Sequence, residues 1–328
     1  RPPELLRFEE EHMGTRFRVL VHHADPQEAA EAARAALARV GELDRLLSDY
    51  REDSELSRLS RAAGGAPVPC SEDLWTVLSL SQELARVTGG AFDVTSGPLV
   101  RLWRRARRRG ELPDTSDLER ARALVGPELL ELDPAARTAR CALPGMRLDL
   151  GGIAKGHAID EALRVLRQRG VTAALVEGGG DLAVHGVPPG AEAWQVAIED
   201  LGPGAALPMT SGAIASSGDR YQGFESEGVR YSHIIDPRTG AALVGPRAAG
   251  VTCPSAAVSD ALATALCVLG PRAGAKLLDG LAETEGWALA PGIRDGEPCL
   301  TRGLALRLRL PPQPTASAAG TTPAPERP

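Results

Sequence analysis

The chain has 328 residues, 43% of them hydrophobic and 24% charged, enough material for one large domain or two closely packed ones. A formal net charge of −6 and a pI near 5.7 exclude a general nucleic-acid binder, and no apolar run approaches the roughly 18 residues of a membrane-spanning helix. The five cysteines, Cys70, Cys141, Cys253, Cys267 and Cys299, form no C-x-x-C pair, so they carry neither a zinc signature nor a disulfide framework.

Residues 5–22 read as a strand pair. Phe17, Val19 and Val21 share one face of the second strand, and Met13-Gly14-Thr15 makes a turn or bulge ahead of it. Asp25-Pro26-Gln27-Glu28 is a helix start, with an acid as N-cap and proline at the first helical position. Ala33, Ala36, Leu37, Val40, Leu43 and Leu47 then keep helical spacing. A short helical turn restarts at Ser54. Ser71-Glu72-Asp73 caps a further helix, which Thr88-Gly89-Gly90 stops. Residues 101–109 hold six arginines around Trp103 and read as the solvated face of a helix, with docking of an anionic partner as the sharper alternative.

Ile159, Ala162, Leu163 and Leu166 mark an amphipathic helix that ends at Gly170. A strand over 171–176, the turn Glu177-Gly178-Gly179-Gly180-Asp181 and a strand over 182–185 follow. Strands are also expected over 194–198, 213–219 and 231–236, the last two meeting the loop Pro237-Arg238-Thr239-Gly240. A helix over 259–270, a helix near 272–285 and short strands at 286–290 and 303–310 close the globular part, residues 1–310. Residues 311–328 have the Pro/Ala/Thr-rich composition of a disordered tail.

Chemistry concentrates at a few places. In Asp149-Leu-Gly-Gly-Ile-Ala-Lys-Gly-His157 an acid ends a strand, glycines turn the chain, and a lysine follows as a helix begins. Free N–H groups at such a turn attract an anion. Lys155 is one of only two lysines, against 35 arginines. The blander reading is a helix start whose glycines serve packing. Asp260 and Thr264 stand four apart on one helix face, two hard oxygen donors suited to Mg²⁺, or else an acid and a core threonine. His233 at a strand end, near Asp236 in a turn, suits a general base, although a strand histidine is often structural. Asp93 and Asp149 each follow an apolar strand beside glycines and can bind a ring N–H or a ribose hydroxyl, or cap the next turn. Neither a P-loop nor a G-x-G-x-x-G fingerprint is present. Together the signals point to a phosphate ester of a nucleotide.

The order of motifs resembles the FAD:protein FMN transferase (ApbE) family. The motifs are Met13-Gly-Thr, Leu47-Ser-Asp-Tyr50, Ser54-Glu-Leu-Ser57, Gly89-Gly-Ala-Phe-Asp93 with Gly97-Pro-Leu99, Asp149-Leu-Gly-Gly-Ile-Ala-Lys-Gly156, Glu177-Gly-Gly-Gly-Asp181, Ser217-Gly-Asp219, His233-Ile-Ile-Asp-Pro-Arg-Thr-Gly240 and Asp260-Ala-Leu-Ala-Thr264. They run from about residue 8 to 310. The resemblance implies an α+β fold with a mixed or antiparallel sheet core and flanking helices, as two packed subdomains around a central FAD cleft. It implies a Mg²⁺-dependent enzyme that passes FMN from FAD to a threonine or serine of an acceptor protein and leaves AMP. FAD hydrolysis to FMN and AMP, or FAD carriage without turnover, are the alternatives.

By the same resemblance the flavin site maps to Met13, Tyr50, Ala91, Phe92, Asp93, Asp149, Lys155 and Ile234. The metal site maps to Gly152, through its carbonyl, with Asp260 and Thr264. His233 is the expected base, with Asp236 as its orienter. Three positions depart from the family pattern: Ser60 for asparagine, Val94 for proline, and Ala263 where some members carry another metal-site carboxylate. Acceptors in the family are usually electron-transfer flavoproteins outside the cytoplasm. With a chain that starts at Arg1 rather than Met, an exported, periplasmic or otherwise extracytoplasmic location with a removed signal or anchor segment is the expectation, and a cytoplasmic one the alternative.

Overall fold

The computed structural model describes residues 4–219, 223–245, 247–290 and 298–308; the tail expected at 311–328 lies outside them. In chain order the first half comprises β1 (Glu4–His12), β2 (Thr15–His23), α1 (Pro26–Leu47), α2 (Glu55–Arg61), β3 (Val68–Pro69), α3 (Glu72–Val87), α4 (Gly97–Arg109), α5 (Thr115–Arg122), β4 (Leu130–Asp133) and β5 (Thr138–Cys141). Then come α6 (Ala154–Gln168), β6 (Ala173–Gly178), β7 (Asp181–His185), β8 (Trp194–Ala197), β9 (Ala206–Met209), β10 (Ser211–Gly218), β11 (Gly223–Ser226), β12 (Val229–Ile235), β13 (Ala242–Val244) and β14 (Ala248–Cys253). The last elements are α7 (Ala256–Leu269), α8 (Pro271–Leu278), β15 (Glu285–Leu289), β16 (Cys299–Leu300) and α9 (Arg302–Arg307).

An eight-stranded sheet in the order β1-β2-β6-β7-β10-β14-β15-β16 forms the frame, and its neighbouring strands all pair antiparallel. The first hairpin turns through Met13 and Gly14, both at positive φ (51° and 72°), as a two-residue turn that matches the strand twist requires. Alternation in β2 sends Phe17, Val19 and Val21 inward. There they join Leu37 and Val40 of α1, Ile159 and Leu163 of α6, and Leu262 and Leu266 of α7 in the largest core. A second core on other side chains of the frame holds Val184, Ile214 and Trp287 with Trp194, Val196 and Leu207 of the β8–β9 pair. A third gathers Leu99 and Trp103 of α4 with Ile235 and Ala242. In it the Trp103 ring stacks on Tyr231, centroids 5.7 Å apart, and its Nε1 donates to the Gly240 carbonyl at 2.9 Å. That bond ties the loop after β12 to α4.

Helix starts follow the expected caps. Asp25 Oδ1 accepts from Gln27 N at 2.7 Å, and Ser54 and Ser71 each accept an N–H three residues on. Differences from the sequence expectations arise at the ends of elements. The helix expected over 259–270 begins at Ala256, because Ser255 caps Val258 N (3.4 Å) and Asp160 of α6 accepts from Ala256 N (2.8 Å) and Ala257 N (3.0 Å). The strand expected at 303–310 is, over its described part, the helix α9: Glu285 accepts from Leu304 N at 2.8 Å and from the Thr301 hydroxyl, acting as an N-cap from another element. The strand expected from 171 begins at Ala173, since Val171 N is bonded to Leu166 O at the end of α6 (3.1 Å). The helix expected near 272–285 ends at Leu278, leaving Glu285 free to start β15.

His157 in α6 is buried, and burial holds its imidazole below the ordinary histidine pKa. A histidine kept neutral by the fold is protonated first in the unfolded chain, so stability is complete above about pH 6.5 and is lost as the pH falls below it. Thermal melts between pH 7.5 and 5 should therefore show a shallower acid loss in His157→Gln than in the parent; parallel slopes would refute this contribution.

Candidate active site

One large cleft, about 1780 Å³, opens among the first hairpin, α1, α4, α6, β10, β12 and α7. Typical small-molecule pockets span roughly 300–1,000 Å³, so this one has room for a large ligand and part of a second. Twelve of the thirteen expected site residues line it: Met13, Tyr50, Ala91, Phe92, Asp93, Asp149, Gly152, Lys155, His233, Ile234, Asp260 and Thr264, with Asp236 the exception.

Lys155 occupies the first turn of α6. Its Nζ lies 3.0 Å from Asp181 Oδ2 and 3.1 Å from Asp260 Oδ2, so one ammonium is bracketed by two buried carboxylates. Desolvation disfavours its charge, but Asp181 and Asp260 outweigh that and raise its pKa, so the ammonium persists. Asp181 is pushed upward by burial and by Asp260, against the pull of Lys155. The placement of Asp181 follows from the turn before it: Gly179 and Gly180 hold φ of 65° and 94°, a Cβ on Gly179 would lie 3.5 Å from the Lys155 stem, and Ser216 N donates to Asp181 Oδ1 at 3.1 Å.

Around this pair the donors are hard oxygens. Asp260 also accepts from Gly156 N at 3.3 Å. Thr264, one turn along α7, has its Oγ1 3.5 Å from Ser217 Oγ. Gly152 faces both Thr264 and the Phe92 ring: a Cβ there would lie 3.1 Å from Thr264 Oγ1 and 3.4 Å from Phe92. Among the described residues no cluster of three or more His, Cys, Asp or Glu side chains could enclose a metal. Mg²⁺, however, commonly takes one or two carboxylates and completes its shell with water and phosphate oxygens. The set Asp260, Thr264 and the Gly152 carbonyl fits that habit, and Asp181 shares the Lys155 ammonium with Asp260.

Further acids and rings complete the lining. Asp149 N donates to Val94 O (2.8 Å), and Asp149 Oδ1 accepts from Gly151 N (2.8 Å); burial raises its pKa against the opposing charge of Arg104. Asp93 Oδ1 accepts from both N and Oγ1 of Thr95 at 2.8 Å, and burial raises its carboxyl too. Arg104 is the residue that sequence spacing did not reveal. Its Nη2 donates to Asp149 at 2.9 Å, its Nη1 to Asp49, and its guanidinium lies 4.7 Å over the Tyr50 ring. It is thus turned inward, in contrast to the solvated face expected for the whole arginine run. Tyr50, 76% exposed, has one ring face covered by this cation and offers the other to a ligand.

His233 is the exposed residue of β12 and lies beside the cleft, with Ser232 and Ile234 buried on either side. Asp236, which does not line the cleft, is engaged by Arg238: its oxygens accept from Nε (2.9 Å), Nη2 (2.8 Å) and the backbone N (2.9 Å) of that residue. Its observed work is to hold the 236–240 turn.

Fold and site define an antiparallel α+β frame around one large cleft lined by a lysine, buried carboxylates, hydroxyls and aromatic rings. The chain belongs to the ApbE family, whose model matches residues 13–287. It is 32% identical over 296 residues to the FAD:protein FMN transferase of Klebsiella pneumoniae, spanning 87% of this chain and 83% of that one. To that of Vibrio cholerae it is 36% identical over 255 residues, 71% and 74% of the two chains. Its fold superposes on the crystal structure of the Thermotoga maritima ApbE protein with a TM-score of 0.84 at 26% identity, covering 93% of this chain and all (100%) of the other.

Proposed function

We propose that this protein transfers the FMN part of FAD to a serine or threonine hydroxyl of an acceptor protein and releases AMP, using Mg²⁺ held by Asp260, Thr264 and the Gly152 carbonyl. The observation that carries the reading is the Lys155 ammonium set between Asp181 and Asp260 inside a cleft large enough for FAD and an acceptor segment. The names of the relatives support it.

In the reaction a bond forms between the acceptor oxygen and the FMN-side phosphorus. The phosphoanhydride bond to AMP breaks, and its electron pair leaves on the AMP phosphate. Mg²⁺, when bound, supplies Lewis-acid neutralisation of pyrophosphate charge. Lys155 adds a fixed positive charge beside those oxygens. His233 takes the proton of the attacking hydroxyl, and the turn held by Asp236 and Arg238 anchors the end of its strand. Tyr50 and Phe92 give flat faces to the flavin or adenine, and Asp93, Asp149, Met13, Ala91 and Ile234 shape the wall behind them.

Mixing the protein with FAD and Mg²⁺, with and without a peptide bearing a Ser/Thr-Gly-Ala-Thr acceptor, decides the matter by mass spectrometry. A peptide heavier by FMN, together with AMP, is the expected result. AMP with unmodified peptide would mean hydrolysis, and no AMP would mean carriage alone. His233→Ala should slow transfer by about 100-fold or more while the FAD dissociation constant holds; weakened FAD binding with normal bound-state turnover would sink the base assignment.

A further inference from the structure

The six arginines of α4 occur without an acid between Gly97 and Arg109. At about 100° per residue, Leu99, Leu102, Trp103 and Ala106 take the buried side and the arginines fill the arc that remains. Arg104 and Arg107 form the edge that lines the cleft. Arg101, Arg105 and Arg108, spaced i, i+4, i+7, form the outward stripe, and all three are exposed. Arg104 is bound to Asp49 and Asp149. Among the described residues, Arg101, Arg105, Arg107, Arg108 and Arg109 form no ion pair, although the chain has 43 acids for 37 lysines and arginines. Arg147 extends the patch: it is exposed, and after burial the nearby charges of Arg101 and Arg61 make its guanidinium less basic.

The bland account is the helix dipole, which favours cations in a last turn. That covers Arg107, Arg108 and Arg109, but the effect fades within one turn and does not reach Arg101 or Arg105. These charges stand together at a cost in mutual repulsion that a ligand of opposite sign would remove.

We infer that the outward arginine face of α4, Arg101, Arg105 and Arg108, docks an acidic segment of the acceptor protein beside the hydroxyl that receives FMN. This rests on the transfer reading above. The geometry favours a polypeptide over a membrane or nucleic acid. A helix with its side chains is about 10 Å across, so an extended chain bound on the outer stripe reaches the cleft edge at Arg104 and Arg107 within about four residues. A membrane or duplex would meet a far wider part of a surface whose net charge of −6 opposes both.

The test uses two fluorescent peptides with one Ser/Thr-Gly-Ala-Thr core, flanked either by Asp/Glu or by Lys. Anisotropy reads their binding to the full chain whether or not FMN is transferred. The acidic peptide should bind about 10-fold tighter than the lysine peptide, with the difference erased at high salt. The triple variant Arg101→Glu/Arg105→Glu/Arg108→Glu should invert the order, and the corresponding glutamine triple should level it. With FAD and Mg²⁺ present, KM for the acidic peptide should rise by about 10-fold in the glutamine triple, with KM for FAD unchanged. Equal binding of both peptides by the parent, or a preference that survives in the folded variants, overturns the inference. So would sedimentation with phosphatidylserine vesicles that depends on these arginines while peptide charge makes no difference. If no peptide ever acquires FMN, the transfer reading fails, and the anisotropy series still decides the docking surface.

Discussion

Asp260→Asn should lower FMN transfer by about 100-fold or more and flatten its response to Mg²⁺. The substitution keeps the shape of the side chain and an oxygen for Gly156 N, which now donates to Asp260 at 3.3 Å, so the fold should persist. What it removes is charge. Asp260 is one of two buried carboxylates around Lys155, and it is the sole anionic member of the set Asp260, Thr264 and Gly152 carbonyl. Without it a divalent cation retains only neutral oxygens there, while Asp181 alone balances the ammonium. The expected outcome is read from initial rates against Mg²⁺ concentration, with FAD binding followed separately by flavin fluorescence. An unchanged Mg²⁺ response would refute the metal assignment. Lost FAD binding with a normal response would move Asp260 to the flavin site.

Lys155 connects this prediction to the mechanism. In the present geometry its Nζ touches both Asp260 oxygens, at 3.1 and 3.3 Å. An incoming cation and pyrophosphate would compete for those contacts from both sides: the cation for Asp260, the phosphate for the ammonium. Because Asp181 also holds the ammonium, Lys155 keeps one partner while it shares the other. A single lysine–carboxylate pair would have no such reserve.

Local chemistry made much of this structure legible in advance. Alternation in β2 and the Asp25 cap of α1 are short-range signals, and both elements stand where the spacing put them. The grouping of Asp260 with Thr264 is a helix repeat, also local. Placing Gly152 and Lys155 beside them came from the resemblance rather than from periodicity, and the structure brings all four to one cleft. Long-range partners were not legible. Asp160 of α6 adds to the local Ser255 cap of α7, and Glu285 starts α9 from β15; no spacing within either helix announces an acceptor supplied by another element. Arg104 finds Asp149 and Asp49 at separations of 45 and 55 residues, so within its own helix it looks like any other arginine. Asp181 did carry a signal, an acid directly after three glycines. Its tie to Lys155 depends on the β6–β7 turn folding back over α6, which only three dimensions supply.

Gly156→Ala should destabilise the protein by about 3 kcal/mol, lowering Tm by on the order of 6–12 °C. Helix propensity alone argues for the opposite sign, since alanine is favoured over glycine in a helix by about 1 kcal/mol. Contact decides. A Cβ at this position would lie 2.2 Å from the Ala256 carbonyl oxygen and 2.7 Å from Ala257 Cα, both backbone atoms at the start of α7, which cannot swing aside as a side chain would. Helices α6 and α7 must therefore part, and the bonds of Asp160 to Ala256 N and Ala257 N resist that movement. Separation would also draw Asp260 away from Lys155, so transfer should fall in the variant even at temperatures where it remains folded. Gly170→Ala is the control: φ is 78° with nothing within 4 Å of the added Cβ, so it should cost only the left-handed penalty of about 1–2 kcal/mol and leave activity intact. A Tm for Gly156→Ala at or above the parent value would show that the two helices are not locked at this crossing, and that the spacing of Lys155 and Asp260 is set elsewhere.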